Sequence, residues 1–489
     1  MNCNNTISAT LDLTQSLKSF EKTIAGEMSL SDVSQWDGRT ICKREQKIRQ
    51  AALIVAGQCI ALLLHKLSES KEAHITATKQ TQGWRHPKSK GNGRVERQVL
   101  CLGNVLVCLR LPYVVERSKQ PHAKGRKIRG QGFCPFLRWL CMEEGTTPLV
   151  WSTVAEVGTV NGSFAIARQT LFDWGISMSL KRIERLTYCF NQQGLSVRNS
   201  RLFDFRQGTL LTTPIFKDQR VVISVDGGRT RIRESKKGKR RQNTNRHGYK
   251  GEWIEPKLLT IYVMDHQGKR VNPTEIPVIN DGTYSKLHPF LELLEMHLLR
   301  LGINLASQVL LVADGADWIW KHIPPLLQRL GCPPASTHEL LDFYHATEHL
   351  QLFADAAFTQ PKERIAWFKI ARSILKRGRT AQLIEQMHTL SQNISGEYRL
   401  IINSQIRYLT KFYHQGRLRY SQVATSKMPI GSGAIESLIR QVVNLRLKGN
   451  GKFWLQANAE AILHARCHWA ARTWSTFCDS ILTARLYPA

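Results

Sequence analysis

Apolar positions early in the chain recur at helical spacing. Between Ser16 and Leu67 the residues Ile48, Leu53, Ile60, Leu63 and Leu67 are separated by polar and basic positions, the period of an amphipathic helix. This predicts an N-terminal helical region over residues 1–75. The period then breaks. Residues 83–93 are rich in Lys, Arg, Gly and Pro, and two apolar runs, Gln98-Val-Leu-Cys-Leu and Val105-Leu-Val-Cys-Leu, flank Gly103-Asn104. Such a pair between strand-like runs predicts a β-hairpin, here within a basic region spanning 76–150. Helical spacing returns at Phe164, Ala167, Leu171 and Trp174, stops at Gly175 and resumes after Ser179 through Ile183 and Leu186. Residues 151–215 are read as helical, with a helix-turn-helix whose second helix would present Lys181, Arg182 and Arg185 to DNA; a plain helical hairpin on a basic protein has the same pattern.

After Thr213-Pro214 the pattern changes. Val221-Val-Ile-Ser-Val-Asp226 is a β-branched run of the buried-strand kind, followed by strand candidates at 257–264 and 275–279, a helix over 284–301, a strand at 308–313, a helix over 318–330, a strand at 339–341 and a long helical stretch over 346–420. This order predicts an α/β fold: a ribonuclease H-like catalytic domain in two parts, 216–345 and 426–489, separated by a helical insertion at 346–425. The N-terminal helical and basic β-hairpin regions would bind DNA.

Charge points to the partner. The chain has 489 residues with 69 Lys and Arg against 38 Asp and Glu, a formal charge of +31, which suits a polyanion. No uninterrupted apolar run reaches the ~20 residues of a spanning helix; the nearest, 51–64, is broken by Gln58, and the N-terminus has no basic, apolar signal pattern. No membrane partner and a cytoplasmic location are expected. The 11 cysteines are scattered without a C-x-x-C pair, which predicts reduced thiols; Cys134 and Cys141 are read as buried cysteines rather than zinc ligands. Two tracts stand out. Residues 117–129 hold six Lys or Arg and no acid, and residues 229–250 hold ten with one acid. In the second, Arg229, Arg231, Arg233, Lys236, Lys237, Lys239, Arg240 and Arg241 are candidate contacts to a DNA backbone.

Asp226 closes the first strand in Ser224-Val-Asp-Gly-Gly228, and Asp314 closes the fourth in Val312-Ala-Asp-Gly315. A carboxylate at a strand's carboxyl end faces the crevice of an α/β sheet, and the glycine after it lets substrate approach. Asp-Gly also serves turns alone, but two such sites in this element order favour a shared purpose. Glu436 sits in the glycine-rich Gly431-Ser-Gly-Ala-Ile-Glu-Ser437, off the apolar stripe of the following helix, with Arg440 and Asn444 at successive four-residue steps on its face. Arg440 would grip a phosphate there or form an ordinary ion pair with Glu436. Three hard oxygen donors suit Mg2+, with Mn2+ as a substitute. In a two-metal site, water as the nucleophile cuts a phosphodiester and a freed 3'-hydroxyl rejoins it. Nothing resembles the phosphate-loop lysine motif.

The motifs Val225-Asp-Gly-Gly-Arg229, Asp314-Gly-Ala-Asp-Trp-Ile-Trp320, Leu341-Asp-Phe-Tyr-His-Ala-Thr-Glu-His349, Gly431–Ser437 and Arg446-Leu-Lys-Gly-Asn-Gly-Lys-Phe-Trp454 together resemble bacterial insertion-sequence DDE transposases of the Kra type, with Mutator-like relatives. The resemblance covers most of the chain. It implies a ribonuclease H-like domain with a helical insertion before the glutamate, and Asp226, Asp314 and Glu436 as catalytic, metal-binding residues. It also implies an Asp-His pair at Asp342 and His345, with His345 near the scissile phosphate or a water; a structural His345 and a role for Glu348 or His349 remain open. Arg446 and Lys448 join the expected DNA contacts. Lys452 stands where the family has methionine, which leaves the acids unaffected. Trp318 and Trp320 are read as core rather than as stacking on a displaced base. The partners implied are double-stranded DNA, as element ends and target, and further copies of the chain in a dimer or larger assembly, in the bacterial nucleoid. A nuclease or resolvase that cuts without joining, or a non-catalytic DNA-binding descendant, are the competing readings.

Overall fold

The computed structural model describes residues 5–7, 13–31, 33–85, 89–116, 132–234, 250–392 and 394–485. The chain divides into two compact units, Met1–Val197 with Ser475–Ala489, and Arg198–Trp474. The basic tract at 117–129 lies outside the described residues, as do Lys236, Lys237, Lys239, Arg240 and Arg241.

The first unit contains β1 (Asn5–Ile7), α1 (Leu13–Glu27), α2 (Gly38–Glu69), α3 (Lys71–Gln80), β2 (Ser89–Leu100), β3 (Val105–Glu116), β4 (Gly132–Phe133), α4 (Pro135–Trp139), α5 (Pro148–Val160) and α6 (Phe164–Asp173). The boundary falls inside α7 (Leu180–Gln207), and most of α17 (Trp474–Ala484) returns to this unit. The predicted hairpin forms as β2 and β3, paired antiparallel up to Leu100↔Leu106. Its turn places Gly103 and Asn104 at φ of 62° and 59°, the left-handed region that Gly and Asn tolerate. Glycine at 103 answers a second demand: a Cβ there would lie 2.5 Å from the Ile54 Cα of α2, and one on Gly57 would lie 2.0 Å from the Leu102 carbonyl oxygen. Two facing glycines thus let helix and turn touch backbone to backbone, over a core that includes Ala61, Leu64, Val99, Val105, Val107 and Leu109.

α2 departs from one expectation. It is long and apolar enough, by length and composition, to cross a bilayer, although polar Gln58 interrupts its apolar run. Cys134 and Cys141 are buried, and burial pushes both thiols up.

The second unit is a mixed α/β assembly. Its strands are β5 (Arg220–Gly227), β6 (Thr230–Arg233), β7 (Gly251–Ile254), β8 (Lys257–Met264), β9 (Ile279–Thr283), β10 (Gln308–Ala313) and β11 (Thr337–Leu341). Five form one sheet in the order β11-β10-β5-β8-β9. Strands β5, β10 and β11 are parallel, whereas β8 is antiparallel to both β5 and β9. Helices α8 (Leu287–Arg300) and α9 (Asp317–Arg329) connect strands, and α10 (Phe343–Ala357), α11 (Pro361–Lys376), α12 (Thr380–Ser391), α13 (Glu397–His414) and α14 (Tyr420–Thr425) fill the stretch before the Gly431 loop. Then come α15 (Gly433–Ile439), a π-helical segment Arg440–Leu447, and α16 (Gln456–Ala470).

Strand β9 corrects the sequence reading. The apolar run at 275–279 was expected to be the strand, but Glu275 and Ile276 belong to a turn whose amides donate to the Asn272 carbonyl, and Pro277 has no amide to give. The strand instead starts at Ile279, the last residue of that run, and continues through the polar Asn280-Asp-Gly-Thr283. Asp281 is 1% exposed, and charge explains how it can be. His297 Nε2 of α8 and His464 Nδ1 of α16 each lie 2.9 Å from one of its oxygens, and the Gly282 amide donates at 2.8 Å. Arg198 adds an ion pair at 3.4 Å and bridges to Glu460 at 2.7 Å. Despite burial, His464 and Arg198 hold this carboxyl well below the usual carboxylate range. Tertiary partners have overridden strand propensity here.

The paired glycines generate a prediction with a sign opposite to helix propensity. Alanine in place of a mid-helix glycine ordinarily gains roughly 1 kcal/mol. Gly57→Ala drives its Cβ into a carbonyl, so its thermal midpoint by circular dichroism is expected several degrees below wild type. A midpoint at or above wild type would refute the backbone contact.

Candidate active site

Pairing register brings the two aspartates level. Leu311 of β10 pairs with Ile223 of β5 in parallel, and three residues further along each strand stand Asp314 and Asp226. Adjacent strands run about 4.8 Å apart, so the two carboxylates leave the same edge of the sheet as neighbours. On the far side of β10, Ala313 pairs with Leu341, which sets Asp342 beside Asp314. The Asp342 amide donates to the Ala313 carbonyl at 2.7 Å.

Asp342 then reaches the third acid's loop. It caps α10, its Oδ1 accepting from the His345 amide at 2.7 Å, and its Oδ2 accepts from the Ser432 amide, 90 residues along the chain. The Phe343 amide adds a bond to the Ile430 carbonyl at 3.0 Å. Gly431 allows this seat, because a Cβ on it would come 2.8 Å from the Tyr344 ring. The loop so fixed feeds directly into α15, which carries Glu436. On the other side a Cβ on Gly228 would come 3.1 Å from Val443 of the π-helical segment, so the turn after Asp226 packs against the chain that follows Glu436.

Electrostatics reports the same gathering. Burial, then the charges of Asp314, Glu255 and Glu436, push the Asp226 carboxyl up to about 6, against a hydrogen bond from the Gly227 amide. Glu255 was not foreseen. Its carboxylate occupies the space where a Cβ of Gly227 would stand, 2.3 Å from that point; only the glycine's missing side chain hints at it, and glycine has many other uses. Asp226 and Asp314 each turn one oxygen to a nearby amide, of Gly227 at 2.6 Å and Ala316 at 3.0 Å. Among the described residues, no three His, Cys, Asp or Glu side chains converge into a ready cation cage. The donor set nonetheless suits a hard divalent ion by chemistry: carboxylate oxygens, mutually repelling and partly withdrawn from water, are relieved by a cation.

The remaining candidates scatter. His345 lies 3.3 Å from Glu348 and edge-on to His349 and Tyr408. His349 stacks on Tyr408 at 3.6 Å between ring centroids and meets Gln405 at 2.6 Å. The buried Tyr408 hydroxyl overlies Gly315, where a Cβ would come within 1.9 Å of it. Trp320 is buried and donates to the Asp314 carbonyl at 2.7 Å, and Trp318 packs edge-on against Phe290. Glu436, Arg440 and Asn444 are all exposed, and among the described residues no ion pair joins Glu436 to Arg440. Past Ile439 the helix widens to the π form, the Lys448 amide reaching back five residues to the Val443 carbonyl at 2.9 Å. Buried Arg466 donates to the Gln441 carbonyl within it, an interruption of the kind that distorts helices.

Several expected DNA contacts are placed otherwise. Arg446 is 3% exposed, its guanidinium 5.1 Å from the Trp454 ring centroid, so packing holds it away from a phosphate. Arg182 donates to the Gly145 carbonyl at 3.0 Å and Arg185 pairs with Glu144. Among the described residues Lys181 is exposed without such a partner, and Arg185, although paired, stays exposed. Arg229 and Lys448 are exposed, with Arg231 and Arg233 half-exposed on the β6–β7 hairpin.

The crowded Asp226 and the clamping Asp342 should respond oppositely to loss of charge. Because folding raises the Asp226 pKa from 3.8 to about 6, its ionised form opposes folding above that pH, by roughly 1–3 kcal/mol, and the penalty fades as pH falls toward 4. In EDTA at pH 7.5, Asp226→Asn should melt a few degrees above wild type, converging with it near pH 4. Asp342→Ala loses two amide partners and should melt lower at both pH values. Equal effects of the two variants at pH 7.5 would contradict this electrostatic picture.

No known protein-family profile and no curated protein sequence matches the chain. Among solved structures, the Drosophila P element transposase strand transfer complex aligns at a TM-score of 0.24 and 11% identity, over 69% of this chain and 83% of that one. Any functional reading therefore rests on the residues themselves.

Proposed function

We propose that the Arg198–Trp474 unit is a ribonuclease H-like catalytic domain and that the protein is a DDE transposase of the insertion-sequence kind, cutting and rejoining DNA. The observation that carries this reading is the register that sets Asp226 and Asp314 side by side at one carboxyl edge of the sheet, with the loop before Glu436 tied to neighbouring Asp342. The reading is supported by a five-stranded sheet in the order β11-β10-β5-β8-β9, in which β5, β10 and β11 are parallel and β8 is antiparallel to its neighbours.

Asp226, Asp314 and Glu436 would hold Mg2+ or Mn2+, which supplies charge neutralisation at the scissile phosphate and lowers the pKa of an attacking water or 3'-hydroxyl. The protein's own part is positioning. Strands β5 and β10 fix the two aspartates, and Asp342 fixes the glutamate's loop. Exposed Arg229, Arg440, Asn444 and Lys448 would engage the DNA backbone, and His345, on the first turn of α10, would face the scissile phosphate or order a water beside it. The partners are element ends and target DNA, held by two or more copies of the chain in the bacterial cytoplasm at the nucleoid.

A strand-transfer assay with duplexes carrying the element's terminal repeats tests this reading. Wild type with Mg2+ should yield both cleaved and joined products, and Asp314→Asn should lower both by on the order of 10³-fold. Cleavage without joining would favour a nuclease or resolvase, and activity unchanged in Asp314→Asn would remove the catalytic assignment.

A further inference from the structure

The outward face of the β6–β7 hairpin has a composition that neither packing nor the carboxylate site explains. Arg231 pairs directly with Trp253 across the hairpin, so their side chains share a face, while Thr230 and Ile232 point inward and are buried. The Arg231 guanidinium lies 4.8 Å from the Trp253 ring centroid and 5.4 Å from that of Phe453. Arg229 approaches the same Trp253 ring at 5.6 Å. Phe453 is seated there because Gly251 has no side chain; a Cβ on it would come 3.2 Å from the ring. Backbone bonds fix the arrangement, the Arg233 amide donating to the Trp454 carbonyl at 2.8 Å and the Trp454 amide to the Arg231 carbonyl at 3.1 Å. The result is an alternating row, Arg229, Trp253, Arg231, Phe453, that begins three residues beyond Asp226. Trp253 is 48% exposed, and an indole left in water beside two guanidinium planes is an open stacking surface.

We propose that this row is a stacking site for unpaired bases of single-stranded DNA, holding one strand opened beside the carboxylates. The proposal rests on the DNA-processing reading above. Flat aromatic and guanidinium faces match the π-faces of bases, which a closed duplex hides, whereas a phosphate backbone gains nothing from an indole. Charge favours the same ligand, since the segment 229–250 holds ten Lys or Arg and one acid. Arg229, at the end of the row, stands three residues along the chain from Asp226.

The test measures binding of the full-length protein, in EDTA so that nothing is cut, to three fluorescent probes of equal length: oligo(dT), an abasic deoxyribose-phosphate oligomer, and a duplex. Trp253→Ala should weaken oligo(dT) by about 10- to 100-fold and change the abasic and duplex affinities by less than about threefold, while Trp253→Phe, which keeps a ring, stays near wild type. Parallel losses on all three probes, or no loss on oligo(dT), overturn the stacking site. So does a loss in Trp253→Phe equal to that in Trp253→Ala, which would mark a disturbed hairpin. An oligo(rU) affinity exceeding that for oligo(dT), with the same Trp253 dependence, would reassign the strand to RNA. A shift in sedimentation in Trp253→Ala with unaltered oligo(dT) binding would assign the face to a second copy of the chain. Failure of wild type to bind any of the DNA probes would instead defeat the DNA-processing reading itself.

Discussion

One carboxylate holds the candidate site together. Asp342 uses its backbone amide to stay beside Asp314 and its two side-chain oxygens to cap α10 and to grasp the Ser432 amide. Between those two attachments lies the whole helical stretch α10–α14. Closing a flexible loop of 90 residues costs about 4 kcal/mol on a random-flight estimate, so nothing local would keep Glu436 near the aspartates. A short side chain with both oxygens committed ties that loop down, and the helices between pack Leu350, Phe353, Leu375, Leu383 and Phe412 into the same buried core as the sheet.

The same sheet carries a second buried aspartate with the opposite electrostatic fate. Asp281, on the edge strand, is met by Arg198, His297 and His464 and held as an anion. Asp226, in the middle of the sheet, is met by Asp314, Glu255 and Glu436, and its charge is resisted. Asp281 is the more deeply buried of the two, which alone would push its pKa up the further; its neighbours reverse that. The charge-balanced network joins Arg198 to α8, β9 and α16, and the unbalanced one marks where an external cation or polyanion-bound ion has something to offer.

Much of this was legible in the sequence where the signal is local. The Asp-Gly junctions at 226 and 314 lie at the ends of apolar runs, and the Gly103-Asn104 turn lies between two such runs; each came out where the pattern placed it. What the sequence hid depends on partners far along the chain. Arg446 looks like any exposed cation until Trp454 covers it, and no residue near Arg182 and Arg185 announces their partners at Gly145 and Glu144. The strand at Ile279–Thr283 can bury Asp281 because Arg198, His297 and His464, from three helices, ion-pair and hydrogen-bond with it, which no window of residues around it can reveal. Glu255 and Trp253 carry no motif at all, and only the folding of the hairpin against Gly227 and Phe453 gives them a setting.

The π-helical turn after Glu436 has a consequence for how this chain can change over generations. Such a turn is in effect an α-helix holding one residue too many. Deleting one residue between Arg440 and Leu447 would let the helix relax to its ordinary form with the turns on either side nearly in phase, so that Trp454 keeps its place at the edge of β6. What would close is the opening at the Gln441 carbonyl, to which buried Arg466 donates. In this stretch inheritance can shorten the chain by one residue at the cost of one of a buried arginine's partners, a change that no substitution at Gln441 itself can make.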